Sequence, residues 1–585
     1  MPKLIIDDRE IEVPVGTKVI EAAARLGILI PRFCYHPALG SVGACRVCAV
    51  KVLEGPAKGI QMSCMLDAVD GMKVSTADSE AIEFRRYVIE WLMMNHPHDC
   101  PVCDEGGHCL LQDMTVSGGH GIRRFPGKKR TFPDQDLGPL VQHEMNRCIH
   151  CYRCARFYQQ FCGYRDLGAL GIGNRTYFGR VAGGRLESPF SGNLSDICPT
   201  GVFTDKPSRF IGRRWDYQRT PTVCIHCSLG CHAVTSVRYR QVVRQEARQS
   251  ATVNGWFLCD RGRYGFFYAS LAARPRQAAI KGETASMEEA LAHARSRLEA
   301  LAPAGVAVVG SPRSSLEVLA LTRQAARLKG WQGPAFFANA ESALKAQTAV
   351  SRLESGLAVS LGEIDQADFI LIVGADPVNE APMLALALRQ AVQKGAGVWV
   401  LDPRPVSLPF EFTHIPAVPK ALNAVLGRLV KKSLDPADLD GPAARFYASL
   451  PDDPPPGAEL PARAAEQLAG SRRPLIICGT DIVAPECVDL AADAALLLAA
   501  ARKKAGLFYV LAAANAFAAG LLAQTDATTE RILKAAVEGD IQALVLVEND
   551  LVATFPDRKL LEMALSKIEL LIVLDYLDTP ASRMA

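Results

Sequence analysis

Sixteen of the 18 cysteines lie at or before Cys259, and only Cys478 and Cys487 follow. Joined by one histidine, fifteen of them fall into four sets of four at metal-ligand spacing. Cytosolic thiols stay reduced, so such clustering implies metal rather than disulfides. The first set is Cys34, Cys45, Cys48 and Cys64, spaced C-x10-C-x2-C-x15-C. Three of these belong on one loop, with the fourth returning after a later strand. Gly40 and Gly43 let backbone N–H groups approach bridging sulfides. The spacing is looser than the plant-type ferredoxin pattern and points to a [2Fe–2S] cluster on a longer loop; zinc on four thiolates is the alternative. The second set is His96, Cys100, Cys103 and Cys109. Taken alone it suits zinc and a cluster equally. An imidazole in place of a thiolate makes a cluster less negative and changes how it holds an electron. His98 and His108 are rival ligands, expected instead to be exposed or to stand behind the ligands.

The third set is Cys148, Cys151 and Cys154, closed by Cys198-Pro199 after 43 residues. The fourth is Cys224, Cys227 and Cys231, closed by Cys259 after 27. A compact triad with a remote fourth Cys holds the corners of a [4Fe–4S] cube, and C-x2-C-x2-C with C-P is a strong signal for it. Cys162, Cys478 and Cys487 read as buried small hydrophobes. One cluster moves one electron, so several in about 260 residues form a relay. Arg123, Arg124, Lys128, Lys129 and Arg130 run together, and Arg147, Arg153 and Arg156 interleave with the third triad. Such cations lower the cost of reducing an anionic cluster, or else form a solvated, partner-facing surface.

The elements that must position these ligands differ between the two halves. The chain has 585 residues, about four domains at roughly 150 residues each. Apolar residues make up 49% and charged residues 22%, which excludes disorder; a net charge of +3 argues against a general nucleic-acid binder. Residues 4–6 and 11–13 read as strands around the turn Asp7-Asp8-Arg9, and Thr17 as the N-cap of the next helix. An amphipathic helix is predicted over 81–95. Residues 98–270 show little periodicity and need something other than apolar packing to hold them. After about residue 275, apolar strands at 306–310, 369–374, 397–402, 475–479, 543–550 and 570–575 alternate with helices such as 315–330 and 529–539, predicting a parallel sheet covered on both faces. Asp452 to Gly457 reads as a surface loop. Ala505 to Ala523 is uncharged and long enough to span a bilayer, yet reads as a buried strand at 507–511 running into an Ala-rich segment. The N-terminus carries no signal-peptide pattern, so a cytosolic protein is expected. GALGIG (168–173) is a weak dinucleotide signal, and no Walker motif occurs.

The ligand order resembles that of the large iron–sulfur subunit of respiratory complex I, the G subunit family of NADH:quinone oxidoreductase. The resemblance is specific over residues 1 to about 260 and weaker beyond. It implies a [2Fe–2S] cluster on Cys34, Cys45, Cys48 and Cys64. It implies [4Fe–4S] clusters on His96, Cys100, Cys103 and Cys109 and on Cys148, Cys151, Cys154 and Cys198. A further off-path [4Fe–4S] cluster, present in some bacterial members, would sit on Cys224, Cys227, Cys231 and Cys259. From about residue 220, C-x2-C-x3-C, GADPVNEAP (374–382) and LDPRP (401–405) look like the molybdopterin-dependent formate dehydrogenase family. Catalytic members carry a metal ligand some 140 residues past the cluster, and no Cys lies between Cys259 and Cys478, so no molybdopterin is expected. The chain stops at Ala585, short of typical bacterial members, which is expected to leave the pterin fold truncated.

The implied architecture is α/β plus α+β and multidomain. It comprises a ferredoxin-like β-grasp domain (1–80), a [4Fe–4S] segment with one His and three Cys (81–120), a ferredoxin-like [4Fe–4S] segment (121–216), a molybdopterin-oxidoreductase-type [4Fe–4S] domain (217–273) and a truncated parallel-sheet α/β domain without cofactor (274–585). The implied function is an electron relay from an NADH/FMN-binding subunit toward the quinone-module Fe–S subunits. No independent active site is expected on the chain. It would be peripheral on the inner membrane, touching the membrane arm only indirectly, with no nucleic acid partner and no span of its own. The alternatives are the relay subunit of a soluble NAD-linked hydrogenase or formate dehydrogenase, a working Mo/W oxidoreductase, and a zinc-stapled scaffold.

Overall fold

The computed structural model describes residues 1–452, 461–524 and 526–585. Its backbone packs as two units. The first comprises Met1–Pro221, Val234–Arg248 and Trp256–Arg263; the second comprises Thr222–Ala233, Gln249–Gly255 and Tyr264–Ala585.

The first unit begins with a five-stranded mixed sheet. Strand Lys3–Ile6 pairs antiparallel with Arg9–Glu12 and parallel with Lys73–Ser75. Ala49–Glu54 pairs antiparallel with Lys73–Ser75 and with Gly59–Met62. The first turn needs left-handed backbone at Asp7 (φ 45°) and Asp8 (φ 62°), which aspartate tolerates. Asp7 then accepts from the Thr76 backbone at 2.7 Å, tying the hairpin to the end of the neighbouring strand Lys73–Ser75. Helix Val19–Arg25 buries Val19, Ile20, Ala22 and Ala23 against Leu4, Ile6, Val50 and Val74. Thr17 is not its cap. The Thr17 hydroxyl donates to the Pro14 carbonyl at 2.7 Å, and the helix starts one residue later, with Glu21 reaching back to the Lys18 backbone N–H at 3.2 Å.

The second helix runs Ser79–Met93, two residues ahead of the sequence expectation, because Asp78 caps it by accepting from the Glu80 N–H at 2.9 Å. Beyond it regular structure is sparse. Helix Leu110–Ser117, the antiparallel pairs Val141–His143 with Phe203–Asp205 and Leu167–Leu170 with Tyr177–Arg180, and the later strands His232–Arg238 and Gln241–Ala247 are part of it. GALGIG lies in the last pair and its turn, a hairpin rather than a strand-to-helix phosphate turn.

The second unit holds all six predicted strands, but in two parallel sheets rather than one. A four-stranded sheet is ordered Gln332–Ala335, Val306–Val309, Ala543–Val547, Leu570–Leu574. A five-stranded sheet is ordered Thr413–Ile415, Gly397–Leu401, Phe369–Val373, Pro474–Gly479, Gly506–Val510. The chain leaves the first sheet after two strands, builds the second, and returns at Ala543 beside Val306. Strand spacing carries no record of such a return. Ala505 to Ala523 resolves into strand Gly506–Val510 and helix Ala516–Leu522. Among the described residues no helix is long and apolar enough to cross a membrane. The predicted loop at 452–457 lies outside the described residues beyond Asp452.

Candidate metal centres

Cys34, Cys45 and Cys48 lie on the loop between helix Val19–Arg25 and strand Ala49–Glu54, and Cys64 follows strand Gly59–Met62. All four are buried. Gly40 (φ 67°) and Gly43 (φ 69°) give the loop its left-handed bends. The thiols meet in a chain of contacts, Cys45 with Cys34, Cys34 with Cys64, and Cys64 with Cys48. The Cys45 contact pulls the Cys34 thiol far down, and the same bond pushes Cys45 up. Cys64 likewise brings Cys48 down to about 7. Four buried thiols in mutual contact suit an iron–sulfur centre.

His96 is buried, and burial pushes its imidazole down to about 4, so it is neutral, the form that ligates. Its Nδ1 is enclosed without a hydrogen-bond partner. An orphaned, neutral ring nitrogen is what a ligand position requires. Cys103 is buried, and Cys100 and Cys109 are half-buried. Cys109 caps helix Leu110–Ser117, its sulfur accepting from the Gln112 N–H at 3.4 Å. The rivals fit less well. His98 is exposed, its Nε2 3.2 Å from the Met93 carbonyl, and half-buried His108 faces Arg244 and Glu246.

Cys148, Cys151, Cys154 and Cys198 together line a single cavity, walled by Ile149, Phe178 and Phe203. His150 (φ 52°) and Tyr152 (φ 64°) are held left-handed, a costly state for such side chains. The curl turns the His150 N–H onto the Cys148 sulfur at 3.3 Å. Burial pushes the Cys151 thiol up to about 12, so metal would have to displace its proton. Residues of three sets share one apolar cluster: Cys34, Cys45 and Cys151 lie in it with Val88, Ile89 and Leu111, and Cys109 packs against it. The third set borders both others. Arg147, next to Cys148, feels the charge of Cys103, and Arg153, next to Cys154, feels Cys34 and Cys45.

The fourth set is divided between the units. Cys224, Cys227 and Cys231 are in the second, where the Cys224 N–H donates to the Cys231 carbonyl at 2.8 Å. Cys259 is in the first, its sulfur accepting from the Gly262 N–H at 3.3 Å. Among the described residues no three His, Cys, Asp or Glu are arranged to hold a single ion. Cys162, Cys478 and Cys487 are buried as expected, and the last two form a thiol pair between strand Pro474–Gly479 and helix Pro485–Ala500.

The basic run is mostly turned to other work. Arg124 pairs with Glu90, Arg123 binds the Phe125 carbonyl at 2.8 Å, and Lys128 is exposed; Lys129 donates to the His96 carbonyl. Buried Arg244 and Arg263, both on Asp196 two residues before Cys198, carried no sequence signal. In the second unit, Arg404 bridges Asp402 at 2.9 Å and Glu380 at 2.8 Å, so the polar turns GADPVNE and DPRP neutralise one another.

Five family models match the chain. They are described as 2Fe-2S iron-sulfur cluster binding domain (residues 3–79), NADH-ubiquinone oxidoreductase-G iron-sulfur binding region (85–124), NADH-quinone oxidoreductase subunit 3, ferredoxin-like domain (138–204), molybdopterin oxidoreductase Fe4S4 domain (217–270) and molybdopterin oxidoreductase (283–585). Among curated relatives, the G subunit of NADH-quinone oxidoreductase from Pseudomonas fluorescens is 40% identical over 100% of this chain and 66% of its own length. The Shewanella oneidensis protein of the same name is 39% identical over 100% of this chain and 67% of its own. The chain thus spans about two-thirds of the length of these relatives. A chain in a crystal structure of an NAD+-reducing nickel–iron hydrogenase in its H2-reduced state is 29% identical, with a TM-score of 0.33, over 36% of this chain and 90% of that one.

Proposed function

Because the chain belongs to the G subunit family of NADH-quinone oxidoreductase, we propose that it is an electron-relay subunit of that complex. It would take electrons from an NADH/FMN-binding subunit and pass them toward Fe–S subunits of the quinone module, from a peripheral seat on the inner face of the membrane. The observation that carries this reading is the one apolar cluster shared by Cys34, Cys45, Cys151 and Cys109. Separate structural zinc sites would have no reason to share a core. Electron transfer between centres does, because it needs them close and rigidly held, and water-free packing keeps charge from being screened.

The first set would hold a [2Fe–2S] cluster on a β-grasp domain, and the other three sets [4Fe–4S] clusters. Bound clusters would supply one-electron chemistry. The chain's own residues enclose them, present thiolates and a neutral imidazole, and direct N–H groups at sulfur. The third socket, bordering both others, would be the middle station among the three. The molybdopterin-type half would act as scaffold, its polar turns already paired internally.

Two experiments test this. Iron and acid-labile sulfide counts with EPR on the anaerobically purified complex should give, beyond the clusters its other subunits carry, one binuclear and three tetranuclear centres; colourless protein, stoichiometric molybdenum, or co-purification with a hydrogenase in place of quinone-module subunits would overturn it. His96→Cys should keep a cluster but lower its midpoint potential, because a thiolate adds negative charge. An unmoved potential would make another group the ligand.

A further inference from the structure

Four arginines of the first unit are buried: Arg147, Arg153, Arg244 and Arg263. Three sit on carboxylates. Arg147 pairs with Asp99, Asp104 and Glu144, Arg244 with Asp196 and Glu246, and Arg263 with Asp196. Arg153 differs. It is 7% exposed, and among the described residues no carboxylate pairs with it. Its guanidinium donates to the Ile197 carbonyl at 3.2 Å and to the Tyr35 carbonyl at 2.5 Å. Ile197 precedes Cys198 of the third set, and Tyr35 follows Cys34 of the first. A buried cation is costly unless an anion offsets it. Among the groups that bear on Arg153 electrostatically are the cysteines Cys151, Cys198, Cys45 and Cys34, two from each set.

We propose that Arg153 is the shared counter-cation of the first and third clusters, raising both reduction potentials and tying their charge states together. This rests on the reading that both sockets carry iron–sulfur clusters. Each reduction adds one electron and makes a cluster more negative by one charge. A fixed positive charge between the two favours that step at both. Arg156 provides the contrast. Half-buried, it donates to the Gly40 carbonyl at 3.2 Å and feels Cys34 alone among the cysteines, so its reach is confined to the first socket.

The test is an EPR-monitored redox titration of the full-length protein in its complex. In Arg153→Met, the binuclear signal and one tetranuclear signal should both titrate lower. At the wild-type midpoint, the oxidised-to-reduced ratio should rise at least tenfold, 59 mV for a one-electron couple. Arg153→Lys, which keeps the charge, should restore both potentials most of the way, and Arg156→Gln should lower the binuclear one only. If Arg153→Met does not load, Arg153→Gln replaces it; loss of clusters in Gln with retention in Lys supports a requirement for charge. Unmoved potentials in Met or Gln, a shift confined to one signal, or cluster loss in Lys as well would overturn the inference. Wild-type protein without clusters would instead overturn the relay reading.

Discussion

Replacing Cys151 with Ala should erase one tetranuclear EPR signal and bring NADH-driven quinone reduction down to background. Cys151 is the middle ligand of the compact triad and the only third-set cysteine in the apolar cluster that also contains Cys34 and Cys45. Its loss would take away the third-set thiol that packs with the first socket. Neighbouring Cys148 and Cys154 keep their places, because the curl at His150 and Tyr152 is set by backbone and by ring packing of Tyr152 on Phe178 at 5.0 Å. The binuclear signal should therefore persist, and the defect should read as an interrupted relay rather than an unfolded chain. Iron counting gives the loss directly. Turnover equal to wild type would remove the third site from the electron path.

The second large effect is structural. Asp104→Ala should destabilise the first unit by about 3 kcal/mol, the lower end of what breaking a buried ion pair costs. The Asp104 side chain is 1% exposed and accepts from Arg147 at 2.5 Å, Arg209 at 2.5 Å and the Thr204 hydroxyl at 2.7 Å. Without it, buried Arg147 keeps only the more exposed Asp99 and Glu144, which is why the lower end applies. Burial pushes the Asp104 carboxyl up, but the Thr204 and Arg147 hydrogen bonds and the arginine charges win and hold it below the ordinary carboxylate value. A carboxyl depressed in the folded state stabilises fully above its unfolded pKa of about 4 and loses that contribution as pH falls through the folded value. Thermal melting should thus show the full deficit at pH 7 and a shrinking one below about pH 4. Because Asp104 directly follows Cys103, the variant should load the second site poorly. A deficit unchanged at low pH would mean that Asp104 acts through packing and not charge.

The candidate ligands are legible because compact triads put cysteines at short, repeated spacing, a local property of the chain, although Cys64, Cys198 and Cys259 stand farther off. The same holds for strands and helices after residue 275, where burial on both faces writes continuous apolar runs. Locality also sets the limits. Thr17 has the residue type and position of a cap, but the Pro14 carbonyl takes its hydroxyl. Six strands suggest one sheet because spacing is silent on the return of Ala543 to Val306. His96, His98 and His108 are alike in sequence; enclosure of one ring and exposure of another separate them.

The sequence by itself singled out the candidate metal ligands and the spacing that suggests their grouping. Only the tertiary structure decided which groups share a core, and which arginine lacks a carboxylate. The bond from Arg153 to the Tyr35 carbonyl spans 118 residues. Desolvation and charge pairing depend on what packs around an atom in space, and no pattern along a chain records the neighbours that folding brings from so far away.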